Sequence, residues 1–506
     1  MNTTSLVCAI ALVALTGYAA DPAPSLTIYN QNFAVVRDTV PLDLKAGLNS
    51  VQFAETTAHV ETDSVMLRDP AGKFPLQILE QNYRNDPVSQ DLLLALNEGK
   101  TIDFQVDTGG GQKKIVQGKI IRSGYQPHGQ DAMRRYGQAY YQTQMALAQE
   151  TRQPIIEVEG KLQFSLPGQP IFPALADDTV LKPTLDWKLN AAKAAKFNAE
   201  LAYITSGMTW EADYNVVAPE KSDILDITGW VTIDNQSGKT FKDAKIKLMA
   251  GDVSKIQEGE AMGRAMRFNT SAIDALIVPA PAVTEKSFDE YHLYTLQNPA
   301  TLRDRETKQV EFIRASGVQS QRIYIYDGLK IDANRWRGNS MQNLRNNEDL
   351  GTESDTKVAV VREIKNSEAN HLGLPLPKGR VRFYKQDSDG NPEFTGENVI
   401  DHTPKDETLR IYTGNAFDLV GERRRTNFVR KNNDHTVDES FEITVRNHKK
   451  GPVEIRIVEH LYRWYTWEIV NPSEPFTKTA AQVIEFRVQL KPDEEKKVSY
   501  TAHYTW

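Results

Sequence analysis

The sequence predicts a mostly β protein of several antiparallel β-sandwich domains, with an immunoglobulin-like C-terminal part and one short helical insertion. The chain has 506 residues, roughly three times the usual length of one domain. Apolar and polar residues alternate in many short runs, which is the pattern of strands that bury one face. Apolar residues make up 40% of the chain and charged residues 25%, a globular balance that excludes collagen-like and mostly disordered proteins.

The N-terminus, residues 1–20, is predicted to be a signal peptide. An apolar run from Leu6 to Leu15 is followed by small residues, which place the cleavage after Ala19 or Ala20. The alternative is an apolar helix that stays on the chain. The run is too short to span a bilayer as a helix, so we expect a periplasmic or secreted protein without a transmembrane helix. The only cysteine, Cys8, lies in this segment, so the mature chain is expected to contain no disulfide.

Residues 21–125 are predicted to form an N-terminal β domain. Apolar residues alternate with polar ones over 101–107, and a glycine-rich turn leads into a second alternating run over 115–121, which predicts a β-hairpin. Residues 126–154 break this rhythm and are predicted to be a helical or flexible insertion. We expect its aromatic side chains to pack on the adjacent domain, with partner binding as the alternative.

Residues 155–333 are predicted to form a middle β domain. Its turn Asn235 to Gly238 is expected to close a hairpin of a meander. A stretch with Gly, Met and Pro, 258–286, predicts a flexible excursion within this domain. A polar, asparagine-containing stretch, 334–355, predicts a linker to the next domain.

Residues 356–506 are predicted to form a C-terminal β-sandwich domain, because alternation is clearest here, over 441–446, 453–457 and 484–490. The last strand places Val498, Tyr500, Ala502, Tyr504 and Trp506 on one face, so we expect it to close the core. Such an aromatic-ended strand is also typical of outer-membrane β-barrels, which is the alternative. Irregular strand spacing and many charged loops favour the sandwich.

A series of distinctive phrases runs through residues 200–506. They are Met208 to Tyr214, Trp230 to Gly238, Leu248 to Asp252, Glu306 to Gln309, Leu374 to Gly379, Asp401 to Pro404, Gly414 to Asp418 and Arg446 to Lys449. In these phrases the chain resembles bacterial proteins that carry domain of unknown function 4139, which is shared with mucoidy-inhibitor-like proteins. Leu26 to Pro70 resembles the β domain that precedes it in such proteins. The resemblance implies an exported, β-rich protein and supplies no catalytic residues.

The residue pattern favours binding over catalysis. The chain contains no GxSxG elbow and no HExxH helix, and its nine histidines are scattered, so no catalytic, cofactor-binding or metal-ligating residue is predicted. A formal net charge of −7 argues against nucleic-acid binding. We expect a non-catalytic binding or scaffold protein of the bacterial envelope, with an envelope protein or polysaccharide as partner. A carboxylate-dependent hydrolase of envelope or extracellular polymers is the alternative, because acidic residues are abundant.

Two polar motifs have a binding and a structural interpretation. The segment Asp387 to Glu393 offers four side-chain oxygen ligands and superficially resembles a calcium loop, but its glycine spacing favours a hairpin turn. The basic cluster Arg423, Arg424, Arg425, Arg430 and Lys431 could attract phosphate or acidic polysaccharide. Strand geometry turns Arg424 away from its two neighbours, so we expect solvated strand ends.

The aromatic segment from Glu459 to Val470 is predicted to be a strand. Tyr462 and Trp464 would then lie on one face, and Tyr465 and Trp467 on the other. Burial, or part-burial at a sheet edge, is expected for these side chains, because large aromatic surfaces are costly to leave in water. A surface on which sugar rings stack is the alternative.

Overall fold

The computed structural model describes residues 23–86, 88–108, 111–125, 142–143, 146, 153–173, 180–220, 222–251, 253–255, 283–288, 290–332, 335, 340–431 and 435–506. The predicted signal peptide, with Ala19 and Ala20, lies outside these residues. So do most of the predicted insertion 126–154 and most of the excursion 258–286. Within the insertion, Gln142, Thr143 and Ala146 are described and are helical.

Strands dominate the described residues, which confirms the predicted mostly β fold; the immunoglobulin-like detail stays a prediction. The strands before residue 200 are β1 (Ser25–Tyr29), β2 (Phe33–Leu44), β3 (Gly47–Ala54), β4 (Met66–Arg68), β5 (Gln77–Arg84), β6 (Thr101–Asp107), β7 (Lys113–Arg122), β8 (Ile155–Val158), β9 (Lys161–Gln163), β10 (Gln169–Ile171), β11 (Thr184–Ala191) and β12 (Ala195–Ser206). A short helix, α1 (Gln90–Leu96), is capped by the Ser89 hydroxyl, which accepts the Leu92 N–H.

The remaining strands are β13 (Met208–Ala218), β14 (Ile224–Asn235), β15 (Phe241–Ala250), β16 (Val283–Phe288), β17 (Tyr291–Leu296), β18 (Ala300–Leu302), β19 (Glu306–Tyr326), β20 (Lys357–Lys365), β21 (Gly379–Gln386), β22 (Pro392–Ile400), β23 (Thr408–Lys431), β24 (Thr436–Asn447), β25 (Val453–His460), β26 (Trp467–Val470), β27 (Phe476–Ala480), β28 (Val483–Leu490) and β29 (Glu495–Thr505). A second helix, α2 (Met341–Asn346), lies in the predicted linker. No helix of the described part is long and apolar enough to cross a membrane.

Within the described ranges, the strands pair into four sheets. The largest has the order β22-β21-β13-β14-β19-β20-β23-β24-β29-β26, with β25, β27 and β28 joined through β19. A second sheet runs β16-β17-β15-β1-β2-β12-β4, with β18 on β15. The two small sheets are β10-β6-β7-β8-β9 and β3-β11-β5.

The chain divides into two compact units. Unit 1 comprises Met1–Trp210, Ile233–Pro279 and Leu293–Lys308, and unit 2 comprises Glu211–Thr232, Ala280–His292 and Gln309–Trp506. The predicted domains 21–125, 155–333 and 356–506 stay a prediction, because compactness alone does not show that a segment folds independently.

Unit 1 contains the predicted hairpin of β6 and β7. The two strands are antiparallel neighbours, with Ile102 paired to Gly118 and Phe104 to Val116. Phe104 is fully buried, and Gly118 leaves room for it, because a Cβ atom there would lie 2.9 Å from the Phe104 ring. The hairpin prediction is therefore confirmed.

Unit 2 has a core built by the alternating strands that the sequence predicts. The buried side chains of β24, β25, β28 and β29 belong to a single apolar cluster, which includes Phe441, Ile443, Ile457, Phe486, Val498, Tyr500, Ala502 and Tyr504. In β29 the residues between these buried positions are exposed or half-buried. The last strand therefore closes the core, as expected.

Buried asparagine side chains stabilise turns at the ends of three strands, β14, β20 and β24, by donating hydrogen bonds to backbone carbonyls. In unit 1 the Asn235 side-chain amide donates to the carbonyls of Lys239 and Arg303, at 2.9 and 3.0 Å. The turn at Asn235 joins β14 and β15, which belong to different sheets, so the prediction of a hairpin there was wrong. A turn that crosses a core leaves carbonyls without strand partners, and a buried amide satisfies them. In unit 2, Asn366 and Asn447 do the same at the ends of β20 and β24.

The C-terminal Trp506 is only partly buried against the unit 2 core. Its backbone N–H donates to the His435 carbonyl at 3.1 Å, and the Arg345 guanidinium lies 4.1 Å from the centre of its indole ring. Arg345 also lies 4.8 Å from the Trp464 ring, so the two indoles hold one cation between them.

We expect Trp506→Ala to destabilise unit 2 locally. Truncating a fully buried Trp costs about 3–5 kcal/mol, and partial burial reduces the loss to roughly half of that. Hydrogen exchange measured by mass spectrometry should show faster exchange in β24 and β29 and unchanged exchange in β6 and β7. Trp506→Phe, which keeps a ring over Arg345, should lose less protection. Unchanged exchange in β29 of Trp506→Ala would contradict a packing role.

Candidate functional site

The Asp387 to Glu393 segment is a hairpin turn between β21 and β22, as predicted. The Asp387 carboxylate accepts the backbone N–H groups of Asp389 and Asn391, at 2.9 and 3.2 Å. Gly390 takes a positive φ of 80°. The aspartate is thus used by the turn itself. Within the described ranges, no three His, Cys, Asp or Glu side chains converge as metal ligands would.

The basic cluster lies on the long strand β23, and its alternation follows the prediction. Arg424 points outward and pairs with Glu442 at 3.1 Å. Arg423 and Arg425 point inward, with 1% and 12% of their side chains exposed. The expectation of solvated strand ends was wrong for these two, because carboxylates from β24 and β25 meet them inside the unit.

Arg423 forms a buried ion pair with Glu459. Its Nε lies 3.0 and 2.9 Å from the two carboxylate oxygens, and the Glu459 side chain is completely buried. The Tyr500 hydroxyl donates to the same carboxylate at 2.6 Å. The guanidinium lies 3.9 Å from the centre of the Phe441 ring. Three strands, β23, β25 and β29, thus meet through one pair of charges.

A second buried pair joins Arg463 and Glu439, with Nη2 and Oε1 2.6 Å apart and both side chains fully buried. Tyr462 donates to the same carboxylate at 3.3 Å. Arg463 lies in the aromatic segment, which is not the predicted continuous strand: β25 ends at His460 and β26 begins at Trp467. The chain leaves the strand here, which brings Tyr462 and Arg463 inward and leaves Tyr465 71% exposed.

The backbone of residues 345–351, which we call the strap, accepts hydrogen bonds from the same arginines. Arg463 donates to the carbonyls of Arg345, Asn347 and Leu350, at 2.8, 2.8 and 3.2 Å. Arg423 donates to the Gly351 carbonyl at 2.7 Å. Gly351 has a φ of 76°, and a Cβ atom there would lie 2.1 Å from the Tyr462 hydroxyl oxygen. This part of the predicted linker is therefore packed against the rest of unit 2.

The electrostatics keep Arg423 charged and Tyr500 protonated. Burial works against the charged form of Arg423, but the Glu459 charge raises the pKa of Arg423 above its ordinary value. Burial, together with the Glu459 charge, raises the pKa of Tyr500 well above its ordinary value. The arginine stays charged and the tyrosine stays protonated, so it donates. We call Arg423, Arg425, Glu439, Glu459 and Arg463 the buried ion network; no more than 12% of any of these side chains is exposed, and their contacts are structural.

An open cleft in unit 2 is the candidate functional site. It consists of two adjoining pockets, of about 500 and 280 Å³, which share Arg322, Tyr324 and Lys385. The larger pocket is lined by Asp223 and Glu454, among others. The lining of the smaller one includes Arg362 and Lys449 and, within the described part of the chain, no carboxylate. A cavity of this total size fits a small ligand or a short segment of a polymer.

Two arginines face each other across neighbouring strands at the cleft. Arg322 on β19 pairs in register with Arg362 on β20, a like-charge pair that sheets normally avoid. Asp223 lies between them and accepts from both, at 2.8 and 2.6 Å. Burial, followed by the charge of Arg322, lowers the pKa of Arg362. Burial also disfavours the charged form of Arg322. Hydrogen bonds with Tyr324 and Asp223 outweigh this effect, so the pKa of Arg322 lies above its ordinary value.

Two half-buried lysines complete the cationic lining. Neither Lys385 nor Lys449 has an ion-pair partner among the residues that the structure describes. The Lys449 ammonium lies 5.5 Å from the centre of the Tyr324 ring. Its backbone N–H donates to the buried Asn447 side chain at 2.9 Å, which fixes the position of the residue.

Some lining residues of the smaller pocket belong to the phrases that resemble the family, namely Lys449 and Gly414 to Ala416. Sequence analysis gave no other reason to select them. It did not indicate Asp223, Arg322, Arg362 or Lys385. These residues lie in ordinary strands and a loop, so no local motif marks them. The opposition of Arg322 and Arg362 depends on the register of β19 and β20, which lie about forty residues apart in the chain.

We expect Glu459→Gln to destabilise unit 2 by about 3–5 kcal/mol, because it leaves Arg423 buried without a countercharge. Glu442→Gln is the matched control: it removes the half-buried partner of Arg424, the next and exposed arginine on β23, at a cost of about 1 kcal/mol or less. Urea unfolding followed by circular dichroism measures both. Equal losses for the two variants would show that the buried pair does not carry this stability.

Comparison with known proteins identifies the family. A family model described as "Domain of unknown function (DUF4139)" matches residues 199–506, more than half of the chain. No curated protein and no solved structure matches. The match includes all of the phrases on which the resemblance rests, as well as the buried ion network and the cleft. The chain belongs to the DUF4139 family.

Proposed function

We propose that the protein is an exported, non-catalytic binding protein of the bacterial envelope, and that the unit 2 cleft is its ligand site. The proposal joins the export pattern of residues 1–20 to the geometry of the cleft. Its partner would be an envelope polymer or protein whose polar groups enter the cleft.

The observation that carries the proposal is an open cavity of about 500 Å³ and its smaller neighbour on the faces and ends of paired strands. Side chains on strands are held more precisely than side chains on free loops, which lowers the entropy cost of binding. The cleft is also polar, with cationic side chains and the phenol groups of Tyr324 and Tyr384. Such a surface recognises a polar ligand through hydrogen bonds and charge.

Two of the carboxylates that line the larger pocket, Asp223 and Glu454, are engaged in contacts of their own. Asp223 accepts from two guanidinium groups, and Glu454 accepts from the Gln489 amide at 2.7 Å. A hydrolase would need one carboxyl group to give a proton and another to activate water or attack the substrate. These contacts favour binding over the alternative of a carboxylate-dependent hydrolase.

A retention experiment tests the proposal. Mature protein, residues 21–506, is immobilised and washed with polysaccharide and protein fractions of an envelope extract from the source cells. Thr395→Trp fills the smaller pocket from its exposed rim, and Thr477→Trp adds the same bulk on β27, away from the cleft. We expect a component that the native protein and Thr477→Trp retain equally and that Thr395→Trp retains at least about tenfold less.

Two outcomes would count against the proposal. If all three proteins retain the component equally, and thermal unfolding shows that each is folded, the component does not bind in the cleft. If the mature protein hydrolyses glycans, peptides or phosphoesters and Glu454→Gln abolishes this activity, the protein is a hydrolase and the binding proposal is wrong.

A further inference from the structure

We infer that the smaller pocket of the cleft binds an oxyanion, a carboxylate or phosphate group, that belongs to the ligand of the proposed binding function. The inference rests on that function and deepens it by naming the chemistry that is recognised. The relevant residues are Arg322, Arg362, Lys385 and Lys449; Asp223 is the counterion that the two arginines share.

The first argument is an excess of positive charge at the cleft. Arg322 and Arg362 are directly opposed across two strands and share one carboxylate, that of Asp223. Opposed like charges destabilise a sheet, so the arrangement costs stability in the free protein. A bound oxyanion would supply the missing negative charge.

The second argument is the pair of half-buried lysines. An ammonium group that loses part of its hydration needs a counterion or hydrogen-bond acceptors in return. Among the described residues, Lys385 and Lys449 have no carboxylate partner, although both line the same pocket as the arginines. The contact of Lys449 with the Tyr324 ring, at 5.5 Å, compensates only in part.

The third argument is that this charge is local. The whole chain carries a formal net charge of −7, so the cluster does not follow from a generally basic composition. Elsewhere in unit 2, inward-facing arginines meet carboxylates directly: Arg423 pairs with Glu459 and Arg463 with Glu439. The smaller pocket departs from this one-to-one pairing, because its two arginines share the single carboxylate of Asp223 and its two lysines have no carboxylate partner among the described residues. It is also open to solvent, where a ligand can enter.

The geometry suits an oxyanion more than a neutral polar group. Guanidinium groups present parallel N–H donors that match two oxygens of a carboxylate or phosphate, and lysines add point charges. A volume of about 280 Å³ accommodates the charged group and its immediate carrier. The adjoining larger pocket, lined by uncharged groups such as Ser222 and Gln321 as well as by acids, would receive the rest of the ligand.

Calorimetric titration of the full mature chain tests the inference with two probes. Inorganic phosphate represents the phosphate source, and trigalacturonate represents the carboxylate source. We expect at least one probe to bind, and we expect the double variant Lys385→Gln/Lys449→Gln to weaken its binding at least about tenfold, because charge-assisted hydrogen bonds are lost. Binding should also weaken as salt is raised.

The control is the double variant Lys450→Gln/Lys491→Gln, which makes the same change of net charge at two exposed lysines of unit 2. It should bind the probe as the native protein does. The inference is wrong if both double variants lose affinity for the probe to the same extent, or if neither loses affinity. It is also wrong if the native protein binds neither probe. If the envelope fraction is retained while neither probe binds, the oxyanion inference is wrong and the binding function stands.

Discussion

The ion pair between Arg423 and Glu459 is the contact on which the arrangement of unit 2 depends. Both side chains are removed from water, and each would cost several kcal/mol if its partner were missing. The pair forms only when β23 and β25 are in their observed positions, and Tyr500 adds the same requirement for β29. Apolar side chains tolerate small shifts of packing, whereas two buried charges do not. The pair therefore selects one arrangement of these strands.

The same strands hold the cleft. β23 carries Arg423 in the core and Gly414 to Ala416 in the smaller pocket. β19 carries Arg322 and Tyr324 in the cleft and Tyr326 in the core, where Gly421 of β23 leaves room for the phenol ring. A Cβ atom at Gly421 would lie 2.1 Å from that ring. The buried ion network thus lies on strands whose other residues line the cleft that we propose as the ligand site.

The features that local patterns determine could be predicted from the sequence. The period of two identified β24, β25, β28 and β29, the hairpin of β6 and β7, and the buried face of β29, because alternation depends only on neighbouring residues. The turn at Asp387 was predictable from its Asp, Gly and Asn content.

Contacts between residues far apart in the sequence could not be predicted. Arg423 on β23 meets Glu459 on β25, a strand that is not the neighbour of β23 in the sheet. The prediction of one continuous strand over the aromatic segment was wrong for the same reason, because Arg463 turns inward to a buried partner, Glu439, that lies on β24. The cleft escaped prediction because the register of β19 and β20, and not a motif, brings its arginines together.

The most direct measurement is a crystal structure of residues 21–506 grown with selenate, a phosphate-like oxyanion whose selenium scatters anomalously. The account predicts an anomalous peak in the smaller pocket, with oxygens within hydrogen-bond distance of Arg322 or Arg362 and of at least one of Lys385 and Lys449. A pocket without a peak, in crystals where selenate occupies exposed lysines elsewhere, would contradict it.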